Sequence, residues 1–296
     1  MSTATPARRR NGIVLFLAVT FITSWASWGL AIALGGSAMK PPVVLPYLFG
    51  AFGPLIGALV LRMRRARRRD PRPEHAVRTR PKVLFWAPLL LVLASASVVG
   101  AALLAHLLGG PEVNLSEAEE LFKTAGGPAP FFVSMLVAGP LSEEAGWRGT
   151  AYPRMRASLG RFQVGLLLGV IWAVWHLPLF FINGTVQEKL GLDSLSGLLF
   201  ALSTIPMALL TGYAYERAGV FAAMAVHFAA NTTMTLLGVE EPLVQAAILT
   251  VQTLLALVLL ATHRSAPKPA PTPVPHPHQP LTDPAAPAPT PTHAEA

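Results

Sequence analysis

Three short polar clusters interrupt an otherwise apolar chain, and together they hold the side chains that a hydrolytic site needs. Glu143, Glu144 and Arg148 lie in LSEEAGWRG, His176 in IWAVWHLPLF, and His227 with Asn231 in AVHFAANTT. A carboxylate serves as general base toward water, an imidazole orients that water, and an amide with a second imidazole donates to developing negative charge. Helical spacing gives each group its direction. Glu144 and Arg148 are i and i+4, stacked on one face where they pair, while Glu143 points about 100° away and is free for another job. His227 and Asn231 are again i and i+4 and project into one cavity. Trp172, one turn before His176, is placed to wall it.

The elements that carry these residues belong to a membrane. Only 13% of the 296 residues are Asp, Glu, Lys or Arg, against roughly 25% in soluble domains. Hydrophobic residues make up 52%, so the apolar excess faces lipid. Eight apolar stretches (12–34, 43–61, 83–108, 129–142, 163–182, 195–214, 218–238 and 242–262) predict an all-α, polytopic bundle of about eight transmembrane helices with the site in its interior. Twenty of the 23 Lys and Arg fall at Arg8–Arg10, in the loop 62–82, in 148–161, at Arg217, and at Arg264 and Lys268; Lys40, Lys123 and Lys189 occupy the alternate loops. By the positive-inside rule both termini are cytoplasmic. The net charge of +8 therefore predicts topology and anionic-lipid contact at the basic loop rather than nucleic-acid binding. No cysteine is present, which excludes disulfides, thiolate metal sites and cysteine nucleophiles.

Within that layout, 1–11 is a cytoplasmic tail, 12–264 the helix bundle, and 265–296 a Pro/Ala-rich disordered tail whose His276 and His278 make a poor metal site. The first stretch is too long for a signal peptide's apolar core. Val113 to Lys123 reads as a short amphipathic helix on the outer surface, capped by Ser116 with Glu119 in the capping-box position. Gly139-Pro140 predicts a kink in the fourth helix that leaves the Leu136 carbonyl without its donor, and Gly146 and Gly149 permit close helix approach.

Ionisable groups inside a membrane cost roughly 2.5–3.5 kcal/mol each by insertion scales. Taken singly, His176 or the Glu144–Arg148 pair reads as structural, and His106, Glu216 and Glu240 near helix ends need no other account. Depth argues for more. Glu143 lies eleven residues from Arg154, His176 fifteen from Arg161 and His227 ten from Arg217, which is roughly 15–22 Å of helix each. Helices four, five and seven thus bring a carboxylate, two imidazoles and an amide to one layer, and nothing structural requires that coincidence.

The three clusters resemble the motifs of the CPBP family (also called Abi), the CAAX-processing and bacteriocin-processing intramembrane proteases. EEAGWRG (143–149) is similar to EExxxR, Trp172 to His176 to FxxxH with Trp in the Phe position, and His227 to Asn231 to HxxxN, in the family's order over about residues 120–245. The resemblance implies an intramembrane endopeptidase acting on a membrane-embedded or lipid-anchored peptide or protein. It implies catalytic Glu143 and His176 at the water, Glu144 and Arg148 holding the helix, and His227 and Asn231 at the oxyanion. Glu143, His176 and His227 also form a His2Glu set that could bind Zn2+ with water in the fourth position. Metal-free glutamate chemistry, which Asn231 suits, stands beside that reading. The alternatives are a proton- or ion-coupled transporter using the same cluster, or a non-catalytic immunity or scaffold protein on this fold. HExxH, GxSG-type serine and GxGD segments are absent. Richness in Ala, Arg and Pro suggests a bacterial cytoplasmic-membrane protein, for which a prenylated CAAX substrate is not expected.

Overall fold

The computed structural model describes residues 6–262, with side chains from residue 12 onward. The expectations for Arg8–Arg10, Arg264, Lys268, His276, His278 and the Pro/Ala-rich tail lie outside the described side chains. Among the described residues every regular element is helical. The first is α1 (Pro6–Leu34), followed by α2 (Val44–Ala51) and α3 (Gly53–Arg68), which bend by 48° at their junction. After α4 (Val83–Leu107), the short α5 (Ala118–Ala125) meets a long rod at 85°. That rod comprises α6 (Pro128–Leu136), a π-turn (Val137–Leu141), α7 (Ser142–Gly146), a second π-turn (Trp147–Ala151) and α8 (Tyr152–Met155). Then come α9 (Arg161–His176) with a 3-10 turn (Leu177–Phe181), α10 (Val186–Leu190), α11 (Leu195–Ala218), α12 (Val220–Leu236) and α13 (Pro242–Thr262).

Five helical segments are long and apolar enough to cross a membrane unbroken: Gly12–Leu34, Val83–Leu107, Arg161–Phe181, Leu195–Ala218 and Pro242–Thr262. The two bent pairs raise the number to seven. The remaining apolar stretch, α12, has 17 residues and is about 25 Å long. Glycines at 219 and 238 bracket it. The eight stretches therefore resolve into five straight helices, two bent ones and one short one, and the short one carries His227 and Asn231. Leu45, Leu84, Leu107, Leu254 and Val258 stand more than half exposed on the outside, as side chains do when lipid is the solvent. The protein is an integral, polytopic membrane protein.

Proline sets the first bend. Pro54 sits four residues after Gly50 and has no N–H to offer its carbonyl, and in a bilayer that carbonyl needs another donor. Ser24 Oγ of α1 donates to it at 2.7 Å. On the same face of α1, Ser27 Oγ donates to the Pro46 carbonyl (2.7 Å) and Trp28 Nε1 to that of Tyr47 (2.9 Å). Trp175 Nε1 of α9 donates in turn to Ser24 Oγ at 2.8 Å, so one buried hydroxyl joins α1, the bend and the helix that ends in His176.

Glycine sets the close crossings. A Cβ on Gly146 would lie 2.5 Å from the Pro54 carbonyl oxygen, and one on Gly169 2.6 Å from Ile205 Cα. The first presses α7 onto α3 and the second α9 onto α11, where Thr204 Oγ1 also donates to the Gly169 carbonyl at 2.9 Å. Gly149 makes no such approach; its nearest neighbour on another helix, Val220, would be 3.9 Å from an added Cβ. At the arginine-rich end, Glu216 of α11 accepts from Tyr152 Oη (3.1 Å), Arg156 Nε (2.9 Å) and Arg161 Nε (2.5 Å). The structural reading of Glu216 thus becomes a staple of three donors that fixes the turn between α8 and α9.

Two local expectations change. The sharp bend beside helix four is at Gly126 and Gly127, with φ of 82° and 120°, not at Gly139-Pro140. At Pro140 the chain takes a π-turn, whose i to i+5 pairing lets the Leu136 carbonyl pass over the residue without an N–H. Nor does the Ser116 capping box form. The helix begins at Ala118, because Asn114 Oδ1 takes both the backbone N–H (3.0 Å) and the hydroxyl (2.5 Å) of Ser116 in a local turn that competes with capping.

Candidate active site

The two π-turns frame α7 and present its glutamates inward. Each turn leaves carbonyls out of α register, and hydroxyls attend to them: Ser142 Oγ donates to the Gly139 carbonyl at 3.0 Å and Thr150 Oγ1 to that of Ala145 at 3.1 Å. Glu143 is 5% exposed, Glu144 and Arg148 are fully buried, and His227 is 2% exposed. As their spacing predicts, Arg148 Nη1 donates to Glu144 Oε1 at 3.0 Å. The same oxygen accepts from His227 Nδ1 at 2.8 Å. A carboxylate already paired with arginine only accepts, so His227 Nδ1 carries a proton, and the ring turns Nε2 toward Gly139.

Trp172 is the hub. Its Nε1 donates to Glu143 Oε2 at 2.6 Å, its ring lies 4.5 Å beneath the Arg148 guanidinium, and it meets His227 edge-on at 5.1 Å and His176 at 5.8 Å. Its carbonyl receives His176 Nδ1 at 2.8 Å, which leaves His176 Nε2 as an acceptor. Trp175 and Phe200 close two sides of the His176 ring at 4.8 and 5.4 Å.

Three remaining polar atoms share one space. His227 Nε2 and Asn231 Nδ2 each lie 3.8 Å, and Glu143 Oε1 3.9 Å, from the point where a Cβ on Gly139 would stand. The rod supplies the carboxylate, and α12 supplies the imidazole and the amide. The structure therefore places Glu143, His227 and Asn231 around Gly139, sets Glu144 and Arg148 beside them, and links His176 through Trp172. A carboxylate, an imidazole and an amide thus stand around the bare face of Gly139. The structure does not gather Glu143, His176 and His227 as metal ligands: among the described residues no group of three or more acidic or histidine side chains is placed to hold a metal ion. Trp172 and Glu144 already occupy Glu143 Oε2 and His227 Nδ1, and we derive no step through zinc.

Residues 125–233 match the family described as Type II CAAX prenyl endopeptidase Rce1-like. The match begins just before the rod and ends two residues past Asn231, so it encloses all three motifs. Over this stretch the chain is similar to the CPBP family. Within the curated proteins, CAAX prenyl protease 2 of Methanococcus maripaludis is 28% identical over 103 residues. That alignment covers 35% of this chain and 37% of the relative, so the CPBP likeness is one of motif core rather than of whole proteins. The helices before α5 lie outside it, yet Ser24 and Gly50 fasten them to the core.

Two features of the site escape sequence reading. Glu144 and His227 are 83 residues apart, and no periodicity links them. Trp172 is visible as a wall, but its donation to Glu143 depends on how α9 crosses the rod.

Proposed function

We propose that the chain is an intramembrane endopeptidase of CPBP type, hydrolysing a peptide bond in a membrane-associated protein or peptide with water activated by Glu143 and His176. The observation that carries this reading is the convergence of Glu143 Oε1, His227 Nε2 and Asn231 Nδ2 on the space beside Gly139. Glu143 takes a proton from water as its oxygen adds to the carbonyl carbon. His176 Nε2 accepts a hydrogen bond from that water and orients it. The carbonyl oxygen becomes an oxyanion received by Asn231 and by a protonated His227, whose charge Glu144 balances. The C–N bond then breaks, and the nitrogen leaves with the proton held by Glu143. Trp172 and Arg148 keep the two glutamates apart in role, one facing the cavity and one facing the histidine.

Membrane attachment of the substrate follows from where the site lies, inside a bundle whose outer face is apolar. Arg64, Arg67 and Arg68 on α3 supply a cationic surface for anionic lipid headgroups, and the cytoplasmic membrane of a bacterium is the proposed location. Whether the substrate carries a prenyl group, as the names of the CPBP relatives state for them, is decided by assay. Purified protein is incubated with prenylated and unmodified membrane-anchored peptides and the products are read by mass spectrometry. Wild type cleaves, Glu143→Gln is folded and inactive, and Asn231→Ala loses roughly 10²–10³ in rate. Equal cleavage by Glu143→Gln and wild type defeats the reading. Zinc is measured in the same samples; zinc whose removal and return switch cleavage off and on replaces the metal-free mechanism.

A further inference from the structure

Glycines in this bundle fall into two common kinds. Some, such as Gly146 and Gly169, have no room for a Cβ because another backbone is against them. Others, such as Gly126 and Gly127, adopt a positive φ. Gly139 is neither. Its φ is not positive, and an added Cβ would meet nothing nearer than 3.8 Å, an ordinary van der Waals distance. What it would meet are three polar atoms of the proposed machinery, Asn231 Nδ2, His227 Nε2 and Glu143 Oε1, with no apolar atom among the nearest three.

We infer that the bare Cα face of Gly139 is the wall against which the reacting carbonyl group packs, and that Gly139 is a positioning residue kept without a side chain for it. The inference rests on the proposed peptidase reading and adds to it where the substrate's carbonyl sits. A carbonyl group in van der Waals contact with that Cα lies beside the space around which Glu143 Oε1, His227 Nε2 and Asn231 Nδ2 stand, so that small shifts bring its oxygen within hydrogen-bond length of a donor. A methyl group there touches all three side chains without displacing them. It would exclude the substrate's carbonyl while leaving the resting protein undisturbed. The backbone at this position is also held, since Ser142 Oγ donates to the Gly139 carbonyl, so an alanine cannot readily withdraw.

Stability and rate therefore move in opposite directions on Gly139→Ala. Glycine is a poor helix former, so the thermal midpoint of Gly139→Ala equals or exceeds wild type, while kcat on the peptides that wild type cleaves falls by about 100-fold or more, the scale of losing oxyanion donors, with KM little changed. Gly100→Ala is the control: it lies in α4 with nothing within 4 Å of its added Cβ, and it keeps wild-type kcat. Gly139→Ala that is folded and cleaves within threefold of wild type overturns the inference, and so does a raised KM with kcat intact, which would make the space a side-chain subsite. A lowered midpoint also overturns it, because the geometry leaves room for the methyl group. Glu143→Gln separates the two claims. If it is dead while Gly139→Ala is active, the peptidase reading stands and the seat is elsewhere; if it cleaves like wild type, both fall.

Discussion

At the residue scale, the proposed chemistry depends on keeping two adjacent glutamates in different environments. Glu144 is paired with Arg148 and hydrogen-bonded by His227, and a buried ion pair is costly to break from one side, about 3–5 kcal/mol. Glu143 takes an indole N–H on one oxygen and has the other near Gly139. Trp172→Phe removes that donor and preserves the ring that Arg148 and both histidines rest on. A hydrogen bond to a charged group contributes about 1.5–3 kcal/mol, so the cleavage rate falls by roughly tenfold to a hundredfold while the thermal midpoint stays near wild type. An unchanged rate would show that Glu143 needs no such restraint. The side chains themselves were legible in the sequence, because i and i+4 spacing puts Arg148 beside Glu144 and Asn231 beside His227 wherever the helices lie. The partnerships of Glu144 with His227 and of Trp172 with Glu143 were not, because they depend on the crossing of separate helices.

At the element scale, the same distinction separates what proline announces from what it becomes. Gly139-Pro140 does mark an irregularity, but the chain absorbs it as a π-turn and turns sharply instead at Gly126-Gly127. Pro54 is answered from another helix altogether. Ser24→Ala deprives both the Gly50 carbonyl and the Trp175 N–H of their partner inside the bundle. Leaving two buried polar groups unsatisfied costs about 1–3 kcal/mol each, so the thermal midpoint in detergent falls by several degrees. The rate per folded molecule declines as well, since Trp175 packs on the His176 ring. A Ser24→Ala protein as stable as wild type would mean that the bend is held by shape alone.

At the scale of the whole molecule, lipid as solvent decides nearly everything that composition could foretell: an all-helical bundle, its apolar exterior and its buried polar centre. The count of spans was less legible, because a bent pair and a straight helix of equal hydropathy look alike in one dimension. The charge asymmetry predicts orientation. A reporter fused after Arg72 should register the cytoplasm, and reporters after Lys123 and Lys189 the opposite side; any one of them reversed defeats that topology.

The rod that carries both glutamates has a further consequence. Each π-turn accommodates one residue more than an α-helix would, and one residue is about 100° of rotation. Phase along residues 128–155 is therefore reset twice, at 137–141 and again at 147–151. A straight helical wheel drawn from Pro128 to Met155 assigns the wrong face to everything beyond the first reset. Length here acts as information: a gap of one residue, neutral in a loop, would swing the carboxylates away from α12, so in aligning or redesigning this segment the number of residues has to be conserved as strictly as their identity.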